Sequence, residues 1–198
     1  MTEEDDLARA LTAAIGGDEA AFAVLWRRWQ PAVLRYLRVV VGDAAEDVAS
    51  ETWMQAARDL HRFEGDTAGF RGWLFRIARH RAIDNRRWMA RRPEEPTASF
   101  DDDGPAARDA ADDVLDRADT AWALRLVATL PRDQAEAVLL RVVAGLDVAT
   151  TARVLGKRPG AVRVATMRGL RKLATMPPLR ARGAEPDPWP RPTRPGEV

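Results

Sequence analysis

Apolar residues recur every three or four positions between Asp18 and Val41, where Phe22, Leu25, Trp26, Trp29, Val33, Leu34 and Leu37 would share one side of a helix. Asp18 is placed to cap it, and Pro31 predicts a kink or a break inside it. A second helix is expected from about Asp43 to Arg62, capped by Gly42 and Asp43, with Val48, Thr52, Ala56 and Leu60 on one face. The stretch FEGDTAG interrupts the period. FRGWLFRIARHRAIDNRRWMARR then restores it through Phe70, Trp73 or Leu74, Ile77, Ile83 and Trp88, which predicts a third long helix. Residues 1–92 read as one compact helical domain.

From Pro93 to about Asp112 the composition turns to Pro, Gly, Ser and acids, too polar to offset the entropy of ordering, and a linker is expected over 93–112. Helical periodicity returns at Val114 with Leu115, Ala118, Trp122, Leu126 and Leu130. It continues through PRDQAEAVLLRVVAGL to a short element and a final basic helix. Four short helices over 113–176 fit a second domain. The tail, 177–198, holds seven prolines in 22 residues and is expected to be extended and mobile. The fold class is all-α, two small helical domains joined by an acidic linker.

Within this frame LDVATTARVLGKRPGAVRVATMRGLRKLA reads as a helix-turn-helix. Val148 to Leu155 forms the first helix, Gly156 suits the positive φ of a helix C-terminus, Lys157 and Arg158 make the turn, and Pro159 opens the second helix. Val154, Leu155, Val162, Leu170 and Leu173 are expected between the helices. Lys157, Arg158, Arg163, Val164, Met167, Arg168 and Arg171 are left for the outer side, where a DNA major groove would lie. A helical hairpin with a basic solvent face is the plainer alternative.

Charge alters the picture only when taken by segment, because the net value is +1. Residues 71–92 carry eight Arg against one Asp, residues 93–119 two Arg against ten acids, and residues 120–176 ten bases against three acids. Two basic blocks on helical patterns favour a polyanion over a merely solvated face. In the first block Arg71, Trp73, Arg76, Arg79, His80, Asn85, Arg86 and Arg87 mix guanidinium groups, which hold phosphates, with rings that can stack on unpaired bases. Taken singly, Trp73, Phe75 and Trp88 read as core. A third patch, Glu46, Asp47, Glu51, Trp53 and Gln55, reads either as acids favoured near a helix start or as a docking face for a basic partner helix.

Other chemistry is poorly supplied. The chain has no cysteine, so it holds no disulfide or thiolate cluster of its own. His61 and His80 are too far apart in sequence for a helical metal pair, no convergent catalytic set is found, and no metal, cofactor or enzymatic activity is expected. No apolar run reaches the roughly 18 residues of a membrane span, and the acidic start differs from a secretory signal. The expected location is the cytoplasm.

Three stretches in order, AEDVASETW, RFEGDTAGFRGWLFRIARHRAIDNRR and LPRDQAEAVLLRVVAGLDVATTARVLGKRPGAVRVATMRGLRKL, resemble the extracytoplasmic-function group of bacterial sigma factors, over residues 7 to 175. The resemblance implies that the first domain docks Asp47, Glu51 and Gln55 on the clamp helices of RNA polymerase. It implies that the loop Glu64 to Gly69 and the helix beyond it open the minus-ten element, with His80 where many members have Asn. The second domain would read the minus-thirty-five duplex, and the linker would thread the RNA exit path. Core polymerase and promoter DNA, double- and single-stranded, are the implied partners; an anti-sigma factor is a further candidate, and no membrane insertion is implied. Where the family commonly has Lys-Ser-Arg-Leu-His, this chain has Arg163, Val164, Ala165, Thr166 and Met167, so the usual minus-thirty-five preference does not carry over. A helix-turn-helix regulator acting without polymerase is the competing reading.

Overall fold

Thr2 opens the first helix with a reciprocal cap: its hydroxyl accepts the Asp5 N–H at 3.3 Å, while the Asp5 carboxylate accepts the Thr2 N–H at 2.9 Å. The computed structural model describes residues 2–91 and 111–176, without the side chains of 111–119. Helix α1, Glu3–Ile15, was not foreseen from periodicity. It buries only Leu11 and Ala14, too narrow a stripe to stand out.

Helix α2, Glu19–Val41, starts at Asp18, whose carboxylate accepts the Ala21 N–H. It runs through Pro31 without a break, with that ring exposed on the outer face. Its buried stripe is Leu25, Trp29, Val33, Tyr36 and Leu37, whereas Trp26 is exposed. Gly42, at φ +61°, ends α2 rather than capping its successor. A 3-10 turn, Gly42–Ala44, intervenes, and α3, Ala45–Asp59, begins without a side-chain cap. A further 3-10 turn, Leu60–Arg62, closes it. The helical pattern is interrupted only over residues 63–66. Asp66 caps α4, Thr67–Met89, by accepting the Gly69 N–H at 2.7 Å.

Rings fill this first module. Trp29, Phe63, Phe70 and Trp73 form one cluster with centroids 5.1 to 5.7 Å apart, Tyr36 meets Phe75 edge-on, and Phe22 meets Trp53 edge-on. Full burial of side chains such as Leu25, Val33, Leu37 and Leu74 stabilises by about 1.5–3 kcal/mol each.

The second module begins at α5, Ala111–Ala128, three residues ahead of the expected start. Helix α6, Arg132–Val138, runs into a π-helical turn, Leu139–Val143, which buries both Leu139 and Leu140. Helices α7, Val148–Leu155, and α8, Pro159–Ala174, follow. Residues 93–110 of the expected linker lie outside the described residues, as does the tail, while 111 and 112, expected in the linker, already belong to α5. Among the described residues there is no strand, in keeping with the all-α expectation. The modules lean on one another: α4 packs against α7, and α2 against α5, α6 and the π turn. Their buried apolar residues form a single cluster reaching from Leu11 to Val162.

Candidate nucleic-acid interface

The turn between α7 and α8 has the expected local chemistry. Asp147 caps α7, accepting the Thr150 N–H at 2.7 Å and its hydroxyl at 3.0 Å. The Thr150 backbone N–H is the main reason that the Asp147 carboxyl is held below the usual carboxylate range. Gly156 takes a left-handed conformation at φ +65°, and Pro159 stands in the first turn of α8. Asp133 on α6 meets the Lys157 ammonium at 2.5 Å, and this hydrogen bond lowers the Asp133 carboxyl. Lys157 is thus drawn back toward α6, while Arg158 remains exposed.

On α8, Arg163, Val164, Met167, Arg168 and Arg171 are all exposed, as expected. Leu170 is a correction: expected between the helices, it is 44% exposed. The inner stripe instead runs through Val162, Ala165, Gly169 and Leu173, because Gly169 lets α8 press onto α6. A Cβ there would stand 2.8 Å from Val138 Cγ2. Leu170 and Met167 turn toward a shallow, mainly apolar groove of about 350 Å3 shared with Arg141, Val148, Arg163 and Thr166.

Helix α4 divides its residues less simply. Arg76, His80 and Arg87 are exposed and lie on one side at helical spacing. Arg71, Trp73, Arg79, Asn85 and Arg86 are half-buried. Trp73 belongs to the aromatic cluster, Phe75 is fully buried, and Trp88 is 51% exposed. Arg79 is engaged with Glu136 of the second module. A groove of about 510 Å3 lies between Gln55, Arg79, His80, Arg81, Asp84 and Arg87. Arg81 donates from Nε to Gln55 Oε1 at 2.9 Å, tying this groove to α3.

On α3, Glu46, Asp47 and Glu51 are exposed and Gln55 is half-buried; Asp47, Glu51 and Gln55 form a stripe four residues apart. Glu46 lies 3.6 Å from Arg38. Trp53 departs from the patch with which it was grouped. It is 6% exposed, and its indole N–H donates to Gln30 Oε1 at 2.6 Å, so it is a core residue. Its position two residues from both Glu51 and Gln55 puts it on a different side of the helix. Among the described residues no group of His, Asp or Glu could hold a metal ion, and no helix is long and apolar enough to cross a membrane.

An all-α protein that presents one basic helix after an aromatic-rich module and another as the second half of a helix-turn-helix has the organisation of a bipartite DNA-binding protein. Residues 25–92 match the Sigma-70 region 2 family, and residues 120–173 match Sigma-70, region 4. The ECF RNA polymerase sigma factor BldN of Streptomyces coelicolor is 36% identical over 168 residues, spanning 84% of this chain and 64% of BldN. ShbA of Streptomyces griseus is also 36% identical, over 178 residues that span 82% of this chain and 91% of ShbA. SigD of Mycobacterium tuberculosis is 32% identical, over 87% of this chain and 85% of SigD. The chain belongs to the ECF RNA polymerase sigma factors. The fold is shared with CnrH, solved with the cytosolic domain of CnrY, at a TM-score of 0.59 and 23% identity over 85% of this chain and 95% of CnrH. It is shared too with RpoE of Bartonella quintana, solved with the anti-sigma factor NepR, at 0.56 and 22% identity over 77% and 93%.

Proposed function

We infer that this sigma factor divides its work among three surfaces. The stripe Asp47, Glu51 and Gln55 on α3 docks on a basic helix of core polymerase. The groove beside Arg76, His80 and Arg87 takes the opened minus-ten strand, with its phosphates on the guanidinium groups. Arg158, Arg163 and Arg168 bind the minus-thirty-five duplex, while Val164 and Met167 offer apolar contact to a thymine methyl. No bond is made or broken. The protein acts by differential binding, lowering the free energy of the opened promoter relative to the closed one, in the cytoplasm where polymerase and chromosome meet. An anti-sigma factor, of the kind solved with RpoE of Bartonella quintana, is a further partner in this reading.

The observation that carries the reading is the ordered pair of sigma matches, each containing one exposed basic helix. Run-off transcription with core polymerase and a pool of genomic promoters tests it. Transcripts from a defined promoter subset are expected only when this chain is added. Tight sequence-specific duplex binding without polymerase, and no transcript with it, would favour a stand-alone regulator.

A further inference from the structure

Among the described residues, Lys157 alone of the cations in the turn and α8 is paired with a carboxylate. Arg158, Arg163, Arg168 and Arg171 stay exposed, whereas the Lys157 side chain is 29% exposed and leans on Asp133, itself 72% exposed. The position of α6 explains the pairing. Gly169 lets α8 press onto Gln134 and Val138, and Asp133 is the neighbour of Gln134. The carboxylate is thereby fixed on the inner side of α8, while the candidate duplex contacts stand on the outer side.

Lys157 itself is rooted at the other boundary. It directly precedes Arg158 and the start of α8, the end of a recognition helix that meets the major groove between its flanking phosphates. A compact ammonium on a flexible four-carbon stem can serve either side of that root. Toward α6 it finds a carboxylate, and toward DNA it would find a phosphate. The hydrogen bond from Lys157 holds the Asp133 carboxyl below the usual carboxylate range, so the acceptor is charged at neutral pH. An ion pair this open to water shifts an equilibrium by only about two- to fivefold. A phosphate gains in turn from the counterion that its neutralisation releases. The two acceptors are therefore comparable, and removing one changes how the ammonium is shared.

We propose that Asp133 is a positioning residue that competes with a DNA phosphate for the Lys157 ammonium and so keeps one sequence-independent contact out of the duplex-binding surface. This rests on the sigma-factor reading, in which α8 meets the minus-thirty-five duplex. Base readout stays with the outer residues of α8, and Asp133 sets the strength of backbone binding beneath it.

Holoenzyme assembled from core polymerase and the full chain provides the test, binding a fluorescent promoter fragment across a potassium chloride titration. One fragment carries its own minus-thirty-five element and a second carries that element scrambled. Asp133→Asn should tighten both by about two- to fivefold and steepen the dependence of log K on log salt by about one. Lys157→Ala should cost less than about twofold where Asp133 is present, and should cancel the whole gain in the Asp133→Asn background. A loosened α6 would not mimic this pattern, because it would lower affinity and leave Lys157 without influence on the gain. Unchanged affinity and slope in Asp133→Asn, a fall in affinity, a gain confined to one fragment, or an equal cost of Lys157→Ala in both backgrounds overturns the proposal. If wild-type holoenzyme binds the fragments no better than core polymerase alone, the sigma-factor reading fails instead. The same variants, titrated without polymerase against duplex at low salt, then still decide whether Asp133 withholds Lys157.

Discussion

Arg163 stands exposed four residues into α8, turned away from buried Val162 and Gly169 by about 100° around the helix. A guanidinium there can reach a base edge, so Arg163→Ala should weaken promoter recognition by about 1–3 kcal/mol and relax minus-thirty-five specificity. Transcription from a library randomised in that element measures both; an unchanged profile removes Arg163 from the readout. Tyr36, the only tyrosine of the chain, is fully buried and its hydroxyl has no hydrogen-bond partner. Burial, reinforced by the charge of Glu136, pushes that hydroxyl well above its ordinary value near 10.0. In the unfolded chain the phenol ionises at the ordinary value, whereas in the folded chain it stays protonated. The contribution is thus intact below about pH 10 and is lost as pH rises beyond it. Tyr36→Phe keeps the ring and removes the titration. It should leave neutral-pH stability within about 1 kcal/mol and blunt the alkaline loss seen in denaturant melts. An identical alkaline profile in the variant would assign that loss elsewhere.

At the level of elements, α8 owes its place to a missing side chain. Gly169 allows contact with Val138 and Gln134 of α6, and Gly169→Val would force the helices apart. Overpacking of this kind costs about 1–3 kcal/mol, which should lower the melting temperature and disturb duplex readout together. Retention of the wild-type melting temperature would mean that the α6–α8 contact is more yielding than it looks. The α3 stripe is a second case. Asp47→Arg reverses an exposed charge, so helicity should persist while affinity for core polymerase falls, as measured by co-elution or surface plasmon resonance. Full affinity would take Asp47 out of the docking face. The helix-turn-helix was legible almost to the residue because Asp147, Gly156 and Pro159 each impose a backbone conformation locally. Helix α1 was missed because its two buried residues make a weak period, although Thr2 and Asp5 form a capping pair. The cap assigned to Gly42 and Asp43 failed for a related reason: a glycine with positive φ ends the helix before it as readily as it precedes the next one.

For the molecule as a whole, one apolar cluster crosses from α2 and α4 into α5, α6, the π turn and α7. The seam also holds the Arg79–Glu136–Arg132 network, in which breaking a partner leaves buried charge uncompensated at about 3–5 kcal/mol. The two modules should therefore unfold in one calorimetric transition, with van't Hoff and calorimetric enthalpies in agreement. Two resolved peaks in the wild-type chain would mean that the seam contributes little coupling. This closed arrangement is a property of the whole chain, since each basic helix taken alone reads as an accessible DNA-binding surface.

Periodicity and segmental charge by themselves determined the helices after α1, their grouping into two modules, the turn of the helix-turn-helix and the outward face of α8, because each depends on neighbours within a few residues. Only the tertiary structure decided that Trp53 is core, that Leu170 is exposed, that Lys157 is held by Asp133, and that Arg79 faces Glu136 rather than solvent. Those outcomes depend on which surfaces meet across tens of residues. A helical period specifies a side of a helix, but not which side chains, from how far along the chain, will come to cover it.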